Sequence, residues 1–552
     1  MNVSKTLSAF ILILLAIIIF WSCATQRATP SDEAAAQPTQ EVANQEEQAE
    51  TVNQEPATSS AGAAEEDTTT SPPNAADAAP SLILIADEVT TLEPYRMVTV
   101  HPEGSIARHL WDTLTILNDD LQVEPHLAES WRLINNFTWE VKLRQGISFH
   151  NGEPVNAEAV RFSIERARSM PGSLETFAED ISLEQVEVID DYTVRLVTQQ
   201  PATDLAYYLT SLEILPPLYY SETGAEQLAK APVGSGPYRL SQWLEGRELV
   251  LEAAPDYWQG APALPGLVFQ TVSPPQDRLT ALRLGKADLI TDLPPTPLAG
   301  WNIPDSRLAT VETTQRMFIG VRVEAGSPLA DKRVRQALNY SINVEQIAED
   351  WLAGYGDRYG SWVNPPANNP ELTPWPYDPN LARRLLAEAG YGQGFTTTLR
   401  TPIGMYEQDV NIAKAVAQQL GEVGVIVEVD AVDRNIYMRQ LLSGDVAPLF
   451  LLAINSQGNG LEDVKNLSKD FAFNPTAWQN ELFEDKLRQA ARTFNQATQA
   501  RFLNEAQAIA YDETPWIWLW RSHRFYGASQ NLDWSPRPDG LIYLYKPKAD
   551  LN

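Results

Sequence analysis

The chain is short of the residues that most often carry covalent or metal chemistry. Of its 552 residues one is a cysteine, Cys23, and five are histidines, His101, His109, His126, His150 and His523. One cysteine excludes an internal disulfide and any cysteine-based metal cluster. No His-Glu-x-x-His occurs, and His101 and His109 stand eight residues apart, so no metal site is expected. A Gly-x-Ser-x-Gly nucleophile elbow is missing, as is a glycine-rich loop ending in Gly-Lys-Ser/Thr. The acid pairs Asp119-Asp120, Asp190-Asp191 and Glu462-Asp463 are adjacent in sequence and read as turns or solvated faces. Basic residues are also few: 41 Lys and Arg stand against 72 Asp and Glu, a formal charge of -31. That surface lacks the basic footprint that nucleic acid requires. The inventory therefore predicts no catalytic set, no cofactor and no nucleic-acid partner.

One stretch invites a nucleotide reading, VGSGPYRL at 233–240. Gly234 and Gly236 supply half of a Gly-x-Gly-x-x-Gly pattern, but the sixth position is Arg239. Pro237 removes a backbone N–H that a phosphate cradle would use, and no lysine follows. The segment reads instead as a sharp turn entering a strand.

Aromatic residues are absent from 24–80, where 11 acids face a single base, Arg27. Such a segment cannot bury enough apolar area to offset chain entropy, and it is expected to be a disordered acidic tether. Its ends would lie about 40 Å apart on average. Ahead of it, Lys5 is followed by an unbroken apolar run from Ala9 to Trp21, then Ser22-Cys23-Ala24. A charged start, a short apolar segment and a small residue at the break form an export signal, assigned to 1–23. A cysteine at that break resembles a bacterial lipoprotein signal, with Cys23 the acylated residue. The alternative is an uncleaved anchor over Leu7 to Ala24, 18 residues and near the lower limit for a spanning helix. Either way the body is expected outside the cytoplasm, in a periplasm or at the outer cell surface, held to a membrane.

From Ser81 the chain turns to mixed helix and strand signals. Asp378-Pro379, an apolar stripe at Leu381, Leu385 and Leu386, and Gly390 make a complete helix signature. Asn343 and Gln346 resemble a capping box. Ile412, Val416 and Leu420 recur every four residues before Gly421 and Gly424, and VIVEVDAV follows as a strand. Helix then strand across a short glycine turn predicts an α/β fold with a partly parallel sheet. No repeat of solenoid period is present.

Taken together, the motifs have a known order. PHLAESWRLINNFTWEVKLRQGISFHNGEPVNAEAVRFSIERAR at 125–168, VGSGPYRLSQW, APDYWQGAPALPGLVFQTV, DRLTALRLGKADLI, LADKRVRQALNYSINVEQI, YDPNLARRLLAEAGY and the closing TPWIWLW follow one another along 81–552. This series resembles the extracytoplasmic solute-binding proteins of ABC importers, in the peptide/nickel (oligopeptide- and dipeptide-binding) family. The resemblance implies a periplasmic-binding-protein-like α/β fold of two lobes, with central mixed sheets joined by a hinge that closes on a ligand. Lobe I would comprise 81–105, 232–316 and 511–552, with an inserted subdomain at 106–231. Lobe II would be 317–510. It implies a monomer, not an enzyme, that delivers peptides or a similar polar solute to a membrane permease and its ATPase. The alternatives are a sensing module or a binder of another solute, such as nickel, a sugar or an opine-like compound.

Site residues follow from the same resemblance. Peptide binders hold the ligand's amino group with an acid near a Trp-Gly-x-Asp-like loop. Here the stretch is LFLLAINSQGNGLEDVKNL, without the tryptophan, which leaves Glu462 and Asp463 as amine anchors or as loop charges. The dipeptide branch meets the carboxylate with an arginine, where TPIGMYEQD has Gly404 and Met405. That departure weakens a dipeptide assignment and leaves longer peptides or another solute. Tyr406, His101, Trp362 and Trp520 are candidate cleft walls, since flat rings with a polar tip suit a permissive pocket.

Overall fold

The computed structural model describes residues 80–97, 100–170, 182–295, 301–456, 458–471 and 474–545. The expected signal, Cys23 and all but the last residue of the tether lie outside the described residues.

Two long antiparallel strands, Ser306–Val321 and Trp516–Ser529, run through the middle of a ten-stranded sheet. On one side of them come Leu449–Asn455, Phe395–Ile403 and Val425–Asp433. On the other come Leu289–Ile290, Ser81–Ile85, Gly266–Thr271, Glu248–Ala253 and Tyr238–Leu244. Phe395–Ile403 pairs in parallel with Val425–Asp433, and Ser81–Ile85 with Gly266–Thr271; most other neighbours are antiparallel. The sheet is mixed, as the alternation of helix and strand predicts. The pairing of the two long strands slips between Glu312 and Arg316 and again before Phe318. A register slip bends and twists a strand pair, and here it divides the core. Ile517 and Leu519 pack with Met317, Ile319 and the helices beyond, whereas Tyr526 and Ala528 pack with Ile83 and Leu289.

The helices form where the local chemistry asks for them. The Asp378 side chain accepts from the N–H groups of Asn380 and Leu381 and starts Pro379–Glu388. Asn343 does the same for Val344–Trp351 through the Gln346 N–H. In Asp409–Glu422 the stripe Ile412, Val416 and Leu420 is fully buried, and the helix carries the chain across the parallel pair Phe395–Ile403 and Val425–Asp433.

A separate four-stranded antiparallel sheet, ordered Ala128–Asn135, Thr138–Leu143, Thr193–Thr198 and Leu183–Asp190, lies within the expected insert. Val141, Val194 and Leu196 face the same core as Val160 and Ile164 of Ala157–Ser169. Helix Glu103–Leu110 runs across the expected boundary at 105/106, and Gln496–Glu513 across that at 510/511. The boundary at 316/317 coincides with the slipped register of the central strands.

The sequence motifs interlock around one buried carboxylate. Asp112 accepts from the Ser235 hydroxyl (2.9 Å), the Tyr257 hydroxyl (2.9 Å) and the Trp258 Nε1–H (3.1 Å), and His126 Nε2 stands 3.4 Å away. VGSGPY, APDYW and PHLAESW thus meet at a single point. The two glycines serve close approach rather than a phosphate. A Cβ at Gly234 would come within 2.0 Å of the Leu110 carbonyl oxygen, and one at Gly236 within 2.6 Å of the His109 oxygen. His150 closes the junction, its N–H donating to the Gly234 oxygen and its Nε2 lying 2.9 Å from the Gly236 oxygen.

Candidate functional site

Where the central strands slip, the molecule opens a cavity of about 710 Å³. Its walls come from both halves of the sheet. Gln315 and Met317 contribute from one long strand, and Trp520 and Ser522 to Phe525 from the other. Asp292, Leu293 and Pro294 follow the short strand Leu289–Ile290, and Met405, Tyr406 and Glu407 follow Phe395–Ile403. Arg434, Asn435 and Met438 complete the far side from helix Arg434–Ser443. Three of the chain's six methionines, Met317, Met405 and Met438, face this space. Thioethers and rings make an adaptable apolar wall, while Asp292, Arg434, Arg524 and Glu407 place both signs of charge at its edges.

A second chamber of about 140 Å³ adjoins the first, with Val100, Gln315, Ser522, His523 and Arg524 common to both walls. It is the more polar of the two, closed by Arg108, Tyr207, Thr210, Ser211, Thr313, Ser456 and Asp539 among others.

The expected site residues fall into three groups. Tyr406 and Trp520 stand in the wall of the large cavity. The Tyr406 hydroxyl accepts the Ala453 N–H at 3.2 Å, and burial pushes its ionisation well above the usual phenol range. His101 stands behind the wall: its Nδ1 lies 3.0 Å from the Ser105 hydroxyl, and burial holds the ring neutral against the attraction of Asp292. Glu462 and Asp463 line neither chamber. Glu462 pairs with Lys465. Asp463 is buried, takes the Ser456 hydroxyl on its carboxylate, and offers its backbone oxygen to the Trp362 Nε1–H at 2.8 Å. Asp463 therefore reaches the small chamber through Ser456.

Trp362 is a core residue and not a cleft wall. It is fully buried, stacked on Trp518 at 5.4 Å and met edge-on by Trp516. A ring covered on its face and its edge leaves no surface for a ligand. Met405, met in sequence only as the replacement for an arginine, does line the cavity.

Sequence reasoning missed Asp292, Arg434, His523 and Arg524. For the last two a signal was present. WIWLWRSHRFYG is an aromatic strand broken by Arg521-Ser-His-Arg524, and a polar interruption in a buried strand marks the place where it meets a cavity. Asp292 and Arg434 carry no such signal, because loop length and helix orientation place them.

Among the described residues no group of three or more His, Cys, Asp or Glu is arranged to hold a metal ion. Among the same residues no helix is long and apolar enough to cross a membrane.

Comparison with known proteins agrees with this architecture. Residues 122–479 match the model of the bacterial extracellular solute-binding proteins, family 5 (middle). The glutathione-binding protein GsiB of Escherichia coli (strain K12) is 29% identical over 454 residues, covering 79% of this chain and 88% of that protein. The structure of HbpA2 from Haemophilus parasuis superposes with a TM-score of 0.76 at 22% identity, over 85% of this chain and 100% of that one. The periplasmic binding protein DppA from Helicobacter pylori, in complex with the peptide STSA, gives 0.68 at 21% identity over 85% and 98%.

Proposed function

This chain belongs to family 5 of the bacterial extracellular solute-binding proteins, and from that premise we propose that it captures short peptides in the 710 Å³ cavity and presents them to an ABC importer. The family works outside the cytoplasm with ABC permeases, and its members are substrate-binding proteins, not enzymes.

The observation that carries the peptide assignment is the wall of the cavity. Methionines and rings form its body, and charges of both signs stand at its rim. A site built this way accepts varied side chains while fixing the polar ends of a ligand. Two relatives favour the same chemistry, one a glutathione-binding protein and one solved with a four-residue peptide. Closure turns on the two long strands at their register slip, with lobe I and lobe II on either side, and the insert meets lobe II through the Asn459 amide on Asp204 (2.7 Å) and the Trp139–Phe494 ring contact. Cys23 carries the lipid, the acidic segment gives the body reach above the membrane, and the protein acts as a monomer.

The test is to isolate the full chain under mild conditions, release what is bound and weigh it. A mixture of short peptides supports the reading. A single non-peptide solute overturns the peptide assignment and leaves the binding-protein role standing.

A further inference from the structure

Buried arginines are numerous in this protein, and most are satisfied. Arg278 donates to the carbonyl oxygens of Val272, Ser273, Thr291 and Asp292. Arg358 donates to those of Asn339, Ile342, Trp375 and Trp518. Arg335 meets carbonyls and the Glu513 carboxylate. These guanidiniums are internal struts, and their donors are spent.

Arg166, Arg239, Arg316 and Arg521 each leave one buried Nε without a partner, but their other nitrogens are held by carboxylates or, for Arg316, by the Thr313 carbonyl oxygen. The small chamber differs. Arg108 Nη1 and His523 Nδ1 are buried there without a hydrogen-bond partner. Neither Arg108 nor Arg524 has a carboxylate within ion-pair distance among the described residues. The acids nearby are already engaged or weakly charged. Asp539, in the same wall, is gripped by Arg537 through Nε (3.2 Å) and Nη2 (2.8 Å). Asp463, behind the wall, holds the Ser456 hydroxyl. Asp292 and Asp87 act on Arg524 only at longer range. Glu213, which feels Arg108, is buried enough that its carboxyl is pushed up to about 7, so it is an incomplete counter-charge at neutral pH. An unpaired buried guanidinium donor is costly unless a ligand completes it.

We infer that the small chamber is a carboxylate site, in which Arg108 and Arg524, assisted by His523, hold the acid end of a solute whose apolar part fills the large cavity. The inference rests on the solute-binding reading and deepens it. Planar forks of N–H donors match a carboxylate in charge and in shape. The Ser522 and Thr313 hydroxyls stand in the same wall as further donors. The acid end is thus met from the side of helix Glu103–Leu110 and strand Trp516–Ser529, and not from the 400–406 stretch, where the sequence has Gly404 and Met405.

The test uses the full chain and two probes. An equimolar mixture of random tripeptides is offered as free acids and as carboxamides, and retention is measured by gel filtration with mass spectrometry. 3-Phenylpropanoate, a carboxylate with an apolar body and no peptide bond, is titrated separately. Wild type is expected to retain acids over amides by about tenfold or more, the scale of losing a charge-assisted contact. That ratio should fall toward one in Arg108→Gln and in Arg524→Gln, and Arg108→Lys should restore part of it. Equal retention of acids and amides, or a preference that survives both glutamine variants, overturns the carboxylate site while leaving the peptide reading intact. Binding of 3-phenylpropanoate that depends on Arg108, with no tripeptide retained, supports the carboxylate site and sinks the peptide reading. Failure of every carboxylate probe on wild type overturns the site itself.

Discussion

Asp112, a buried residue, and Arg108, half-buried with its Nη1 withdrawn from solvent, stand four residues apart in the chain, yet they are served in opposite ways. Asp112 has its acceptor sites met by the protein: two hydroxyls and an indole N–H donate to it, and an imidazole stands beside it. Arg108 carries a buried nitrogen with no partner. A polar group completed by the protein itself belongs to the fold, and one left incomplete is available to something else. Core residues such as Trp518 and Arg316 also carry an unpartnered buried nitrogen, so it is the place of Arg108 in a chamber wall, added to its missing partner, that marks it as a residue that meets a ligand.

The comparison breaks first at Asp112. Replacing it with alanine strands the Ser235, Tyr257 and Trp258 donors in the core. A loss of about 3–5 kcal/mol is expected in a denaturant melt, the scale of removing one partner from a buried charged network. A loss under about 1 kcal/mol would mean that water replaces the carboxylate at no cost.

Glu213 sharpens the comparison, since burial raises its carboxyl to about 7 from 4.5. Below the lower value the group is neutral both folded and unfolded, and it costs nothing. Between the two values the unfolded chain loses its proton first, so stability falls as pH rises, and above the upper value the whole cost is present. Glu213→Gln should therefore gain roughly 3 kcal/mol above pH 7, and nothing below about pH 4.5. Melts at several pH values check this, and parallel curves for the two proteins would refute it.

Tyr406→Phe removes the acceptor of the Ala453 N–H in the cavity wall and should cost about 1 kcal/mol. The smallest expected effect is the most informative. Arg108→Gln should change stability in the absence of ligand by no more than about 0.5 kcal/mol, since Arg108 makes no ion pair among the described residues and its buried Nη1 has no hydrogen-bond partner. A large loss would place Arg108 with Asp112 among the structural residues.

Much of the fold is legible in the chain. The caps at Asn343 and Asp378 and the stripe at Ile412, Val416 and Leu420 are local, and local chemistry survives into the structure. The ordered motifs are legible as a series, although their shared physical cause, convergence on Asp112, emerges only in three dimensions. The site is harder to read. Tyr406 and Trp520 reach the cavity, but Trp362, of the same residue type and equally aromatic surroundings, goes into the core. Composition cannot separate a ring that stacks on tryptophan from a ring that faces a ligand. Asp292 and Arg434 are brought to the cavity by long-range strand order, which leaves no local trace.

The four-stranded sheet leaves the body and returns to it at nearly one point. Thr113 bridges Glu213, and the Ile214 N–H donates to the Asp112 oxygen at 2.9 Å. At the level of the gene, everything between those codons is a cassette with adjoining ends. Its outer sheet can change in length and content without moving the carboxylate that anchors its doorway, whereas Tyr207, Thr210 and Ser211 at its closing end line the small chamber, so an exchange that includes them rewrites the ligand site as well.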